Sequence, residues 1–358
     1  MKKIKKWMML SAAVLMLVSG CSKSNDDAEP EKGNNQAPAE QTSNEDKGQE
    51  TEAESPYAFP LTGIGTEKEA AGRAVAVMIN NHPAARPQSG LPEADIVYEL
   101  LAEGNVTRFL AIYQSEQPEK VGPVRSARDY YIELAKAYDG LYVCHGNSPD
   151  AKELMDNGYI DHLNGLYYDG TLFQRAGYRK APHNSYTSYE NILKGAAEKG
   201  YEMEEAPGPL SFMTAEEAGQ LTGEEAESAK VSYFSNETFS SNYEYDRNLH
   251  KYKRYSSGEL TADYDSGAPV LIDNIFIIEA SHKIVDSEGR REINLTSGGR
   301  GYLLQKGFLR EVEWKNENGR LLPFIDGKEA PLVRGKTWIN VIPSDPGLGQ
   351  AVSLNKAN

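Results

Sequence analysis

Thirty-five consecutive residues, 22–56, contain no aromatic side chain and no Val, Ile, Leu or Met. Such a stretch cannot bury enough apolar area to offset the entropy of ordering it. Folding is therefore confined to the chain from Tyr57 onward. The stretch holds ten acidic residues and three lysines. As a flexible coil it reaches roughly 30–35 Å, further with like-charge repulsion. Residues 21–56 thus read as a disordered acidic tether that holds a folded body away from its point of attachment.

The attachment is read from residues 1–21. Lys2, Lys3, Lys5 and Lys6 precede a greasy run from Trp7 to Val18, then Ser19-Gly20-Cys21. A charged start, a short apolar stretch and small residues at the cut make an export signal, here residues 1–20. The run is too short to span a bilayer well as a permanent helix. The small residues before Cys21 resemble a bacterial lipobox. That resemblance implies cleavage before Cys21 and acyl chains, such as palmitate, on its sulfur and amine. Several acyl chains hold a protein stably on a membrane where one would not. The expected location is the cell membrane, lipid-anchored on the extracytoplasmic face. The other reading is an ordinary secreted protein with a coincidental cysteine.

One other cysteine remains, Cys144, so no internal disulfide is available and the exported body must rely on core burial. About 300 residues suffice for that, in two domains of ordinary size. The whole chain carries −15 and the folded part −12. This argues against nucleic acid, whose phosphates demand a basic face.

Along the folded part, residues 57–222 alternate strands and helices. Ala74–Ile79 is a buried strand, and Ala94–Ala102 with Val106–Gln114 form a hairpin around Gly104-Asn105. Ser126 and Asp129 have helix-start spacing. Ser148-Pro149 opens another helix, and Thr187/Glu190 and Thr214/Glu217 repeat the start pattern. After about residue 225 helical signals vanish. Asn318-Gly319 between two strand-like runs is a hairpin signal, with Asp326-Gly327 soon after. The expected class is α+β: an N-terminal mixed α/β domain over 57–222, a β-rich domain over 223–345 and a flexible tail over 346–358.

Polar residues cluster in the first half: Asn80-Asn81-His82 at a strand end, Glu99, Glu103 and Arg108 near a turn, then Arg125, Arg128, His145, Asn147, Arg175, His183 and Asn184. Strand ends and helix starts are where α/β folds build sites, and a helix start flanked by arginines suits a carboxylate or phosphate. An anion-recognising pocket of Arg125, Arg128, His145, Arg175 and His183 is one expectation. The other is scaffold, with the arginines paired to Glu99, Glu103 or Asp129. Ser148 near His145 is read as a helix cap rather than a nucleophile, and Cys144 as a buried small hydrophobe. The six histidines show no metal-ligand spacing, so neither metal nor cofactor is expected. Most of the 21 tyrosines are read as packing residues.

Asn80-Asn-His-Pro83, Ala94-Asp-Ile-Val-Tyr98, Glu103 to Arg108, Pro123-Val-Arg-Ser-Ala-Arg128 and Arg179 to Asn184 together resemble the YerB-type lipoproteins of Gram-positive bacteria. Tyr243 to Asp246 and Gly335-Lys-Thr-Trp338 look like that family's second domain. The resemblance runs from Tyr57 to about Pro343. It implies an envelope role with a link to cell-wall synthesis, and no reaction.

Three functions compete for these features. The first is a non-catalytic envelope lipoprotein that binds peptidoglycan fragments or cell-wall synthesis proteins. The second is an envelope hydrolase or transferase acting on a glycan or phosphodiester, with Glu103 as acid or base and His145 or His183 as proton shuttle. A transporter's solute-binding component fits less well, because such proteins pair two similar α/β lobes and here the second half is β-rich.

Overall fold

The computed structural model describes residues 55–233 and 237–355. The export signal, Cys21 and the tether up to residue 54 lie outside the described residues. Among the described residues no helix is long and apolar enough to cross a membrane.

The first half supplies strands β1 (Val75–Asn80), β2 (Ile96–Leu101), β3 (Thr107–Tyr113), β4 (Leu141–Cys144) and β5 (His162–Asn164). The second half supplies β6 (Ser228–Val231), β7 (Ser241–Asp246), β8 (Lys251–Ser256), β9 (Asn274–Ala280), β10 (Gly299–Gln305), β11 (Phe308–Glu317), β12 (Arg320–Ile325), β13 (Thr337–Pro343) and β14 (Val352–Asn355).

The boundary expected at 222/223 does not divide two sheets. One twelve-stranded sheet runs through both halves; ten of its strands lie in the order β12-β11-β10-β9-β13-β2-β3-β1-β4-β5, and two short strands, Lys328–Glu329 beside β12 and Glu224–Glu225 beside β11, complete it. The join is parallel on both sides of β13: Ile278 pairs with Val341, which pairs with Leu100. Strands buried on both faces read as continuous apolar runs, and every residue of β1, β2, β3 and β13 is buried. Alternation divides their side chains between two cores. Val97 and Leu101 face one core with Val75, Val77, Phe109 and Trp338. Ile96, Tyr98 and Leu100 face the other with Met78 and Leu110.

Each face is covered. The helix Asp129–Lys136 presents Tyr130, Tyr131 and Leu134 to the second core, beside Ala151 and Met155 of the helix Pro149–Asp156. The first core is closed by Tyr189, Ile192 and Ala196 of the helix Tyr189–Lys199 and by a six-stranded antiparallel sheet that includes β6, β7, β8 and β14. Residues 346–355, expected as part of a flexible tail, are ordered: Leu348–Ala351 is a helical turn and β14 pairs antiparallel with β6. Leu348 and Ala351 are buried, which holds this segment down.

A buried ion pair links the halves. Glu99 of β2 and Arg254 of β8 are 0% and 1% exposed at the side chain and 3.1 Å apart. Ser241 Oγ and Trp338 Nε1 donate to the same carboxylate at 2.8 and 3.2 Å, and Thr107 Oγ1 at 3.1 Å. The Arg254 guanidinium sits 4.7 Å over Trp338 and 5.1 Å over Phe109.

Candidate functional site

Three adjacent parallel strands, β1, β4 and β5, end at Asn80, Cys144 and Asn164. Sheets of this kind bind ligands at the carboxyl ends of their strands. The segment Val121–Ala127 forms a strap there, bridging Thr187 (from Val121), Ser89 (from Gly122), Ile79 (from Val124) and Asn147 (from Ala127). Gly122 has φ 145°, and a Cβ on it would lie 2.8 Å from the Ser185 carbonyl oxygen, so only glycine fits.

The sequence pattern placed a helix cap at Ser126. The helix instead begins at Asp129 without a side-chain cap, and Ser126 Oγ donates to the His145 carbonyl at 3.2 Å. Ser126 is drawn into the strap, where it joins the strap to the end of β4.

His82 and His183 stack with centroids 4.4 Å apart. Asn80 Oδ1 accepts the His82 backbone N–H at 2.9 Å, which leaves Asn80 Nδ2 to donate to His183 Nδ1 at 2.9 Å. His82 Nδ1 accepts the Ala84 N–H at 3.1 Å. With Nδ1 an acceptor in both rings, each neutral imidazole carries its proton on Nε2.

His145 has the opposite tautomer. Arg175 Nη2, a donor only, lies 2.7 Å from its Nε2, so the proton is on Nδ1 and points at Ser185 Oγ, 2.7 Å away. A histidine that donates to a serine cannot also take its proton, so this pair is not an activated nucleophile. All three histidines sit below the usual imidazole pKa. Burial is the first cause in each, followed by Arg86 and Arg125 for His82, Arg175 and Arg125 against Asp169 for His145, and His82, Arg125 and Arg179 for His183.

Arg125 lies among these rings, half-buried. Among the described residues its guanidinium has no hydrogen-bond acceptor and no carboxylate partner. Burial, then the neighbouring Arg108 charge, pulls it down to about 10, still cationic at neutral pH.

The other arginines are engaged. Arg108 donates to Glu103 Oε2 at 2.6 Å and to the Ser126 carbonyl at 2.7 Å. Arg128 contacts the other Glu103 oxygen and the Ala127 carbonyl. Glu103 is thus clasped by two guanidiniums, as the scaffold reading has it, and is not poised as an acid or base. Arg175 pairs with Asp169 at 2.9 Å and donates to Asn184 Oδ1 at 3.3 Å. Asn147 Oδ1 accepts from Asn164 Nδ2 at 3.0 Å.

The expected residues therefore fall into two adjoining groups. Arg125, His145, Asn147, Arg175, His183 and Asn184 gather at the strand ends, while Glu103, Arg108 and Arg128 form an ion triad beside them. The pocket read from sequence lacked His82, Asn80, Arg179 and Ser185. The Asn-Asn-His-Pro run at a strand end was the available signal for Asn80 and His82, and the run from Arg179 to Asn184 for Arg179; Ser185 had none.

Ser148 caps its helix, accepting the Ala151 N–H at 3.3 Å. Cys144 is fully buried and its thiol is pushed up to about 12 by desolvation. Among the described residues no group of three or more His, Cys, Asp or Glu is arranged to hold a metal ion.

Fold and site define a strand-rich module of strands and helices with a polar, cation-bearing cradle at its parallel strand ends. Residues 61–202 match the N-terminal domain, and 229–339 the C-terminal domain, of a family described as protein of unknown function (DUF3048). The chain belongs to this family, that of the YerB-type proteins. It is 51% identical over 286 residues to the "Putative lipoprotein YerB" of Bacillus subtilis (strain 168), across 79% of this chain and 86% of that protein. It is also similar to the crystal structure of the YerB protein from Bacillus subtilis, with a TM-score of 0.77 at 49% identity, covering 84% of this chain and 99% of that one.

Proposed function

We propose that the protein is a lipid-anchored lipoprotein of the extracytoplasmic membrane face, acylated at Cys21, whose body binds a component of the cell envelope rather than transforming it. The relative's name and the leader pattern of residues 1–21 support the anchor. One observation carries the binding role: the strand-end cradle presents a guanidinium and imidazole N–H donors that have no partner among the described residues, while its carboxylates and its serine–histidine pair are committed to structural bonds. A donor-lined site of this kind holds an anion. Peptidoglycan fragments and cell-wall synthesis proteins are the partners considered.

The test has two arms. Cys21→Ala should release the protein from the membrane fraction with its fold intact; tight membrane association of that variant would refute the anchor. Pull-down of the anchored protein from membranes, with direct binding to muropeptides and penicillin-binding protein ectodomains, tests the partners. No capture in either set would count against an envelope-binding role.

A further inference from the structure

The geometry points to a phosphoryl group as the anion held at the strand ends, bound by Arg125 and the Nε2–H groups of His82 and His183. This rests on the binding role proposed above and names the chemistry of its ligand.

Donor geometry favours a tetrahedral anion. The Asn80 and Ala84 bonds occupy Nδ1 of both stacked rings, so each ring keeps one N–H, on Nε2, and neither Nε2 has a partner among the described residues. Arg125 lies close enough to both rings for its charge to act on each. Its guanidinium, also without an acceptor, adds up to five N–H donors. A tetrahedral anion with several acceptor oxygens can engage donors from three side chains at once.

Charge favours the same ligand. Three arginines around the paired rings lack a carboxylate partner among the described residues. Arg125 has no acceptor among them. Arg179 bonds only the carbonyls of Ala85 and Pro87. Arg86 bonds the Asn81 and Thr238 carbonyls, Asn81 Oδ1 and Ser257 Oγ. The nearby carboxylates Glu103 and Asp169 are already matched by Arg108, Arg128 and Arg175; Glu99, itself paired with Arg254, and Glu259 act on Arg86 through space, so the excess is centred on Arg125 and Arg179. In a chain of net charge −15, this local excess of positive charge stands out. A carboxylate would supply one negative charge; a phosphate monoester supplies 1.5 to 2 at neutral pH. The larger charge matches the site better, and binding would relieve mutual repulsion among the arginines.

The test uses the full-length protein in detergent. Calorimetric titration with pyrophosphate, glycerol phosphate and acetate compares wild type with Arg125→Gln and Arg125→Lys. Both phosphoryl probes should bind, acetate should be at least tenfold weaker, Arg125→Gln should lose at least tenfold and Arg125→Lys less. Flotation with phosphatidylglycerol vesicles, using a Cys21→Ala chain, separates sources. Arg125-dependent flotation assigns a lipid headgroup; phosphoryl binding without flotation assigns a soluble or polymer-borne phosphate; both support the site.

Histidine-ring NMR on wild type needs no variant to fold. Pyrophosphate should raise the pKa of His82 and His183 and leave His282 unmoved. Failure of every phosphoryl probe to bind, binding indifferent to Arg125, or rings that do not respond would overturn the assignment. Muropeptide binding alongside such failures would leave the envelope role standing and remove only its phosphoryl ligand.

Discussion

Arg254→Leu tests how the two halves are joined. The substitution strips the countercharge from Glu99, which has no exposed surface and lies 3.1 Å from the guanidinium. Removing one partner of a buried pair costs about 3–5 kcal/mol, because the remaining charge stays buried. The neutral donors Ser241, Thr107 and Trp338 persist around the carboxylate and place the expected loss toward the lower part of that range. The lost stacking of Arg254 on Trp338 and Phe109 adds about 0.5–2 kcal/mol. Urea unfolding followed by tryptophan fluorescence and by far-UV circular dichroism measures the result. Because β13 is shared, both probes should shift together in one transition. Glu99→Gln combined with Arg254→Leu should recover more than half of the loss, since no unpaired charge is then buried. A loss below about 1 kcal/mol, a double variant no better than the single one, or two separate transitions would refute the reasoning.

Three further outcomes are expected. His282 is largely buried, donates through Nδ1 to the Ala280 carbonyl at 2.9 Å and has its pKa lowered to about 4 by desolvation. The unfolded chain binds a proton near pH 6.5 while the folded one does not, so stability is lost as pH falls from about 6.5 to about 4, by about 3 kcal/mol in total. His282→Asn should flatten that part of the pH–stability curve, and an unchanged slope would sink the assignment. Cys144 should resist thiol reagents in the native state and react once per chain in denaturant, provided Cys21 is acylated as proposed and gives no second thiol. Gly122→Ala forces an L side chain to φ 145° against the Ser185 carbonyl. Its expected cost is about 1–3 kcal/mol in thermal or urea unfolding, with loss of anion binding at the strap.

Local chemistry was legible in the sequence. The Thr214/Glu217 spacing is a capping box, with the Glu217 carboxylate taking the Thr214 backbone N–H at 2.8 Å. Asn318 and Gly319 both adopt positive φ in the β11–β12 hairpin, as the dipeptide signals. Small shifts arose where neighbours compete: Ser188 rather than Thr187 caps its helix, because Thr187 Oγ1 bonds the Leu172 carbonyl.

What could not be read is long-range. β2 and β13 are separated by more than two hundred residues, and their parallel pairing leaves no local trace in either. The change of rhythm near residue 225 marks a change in local structure, while the sheet continues across it. The site suffered in the same way. Arginine-rich spacing near Arg125 and Arg128 gave no clue that one guanidinium is spent on Glu103 and the other has no acceptor among the described residues, because that depends on where the β2–β3 turn lies in space.

The placement of β13 bears on biogenesis. A chain delivered amino end first presents the outer side of β2, and later that of β9, well before Thr337–Pro343 arrives to fill the gap. Until then two wide, apolar backbone margins stand open to self-association. Lipid attachment would occur at one terminus while closure waits for the other. A product cut short before residue 337 would therefore be secured to its membrane yet unable to complete its body, and it should be removed by proteases rather than persist as half a protein.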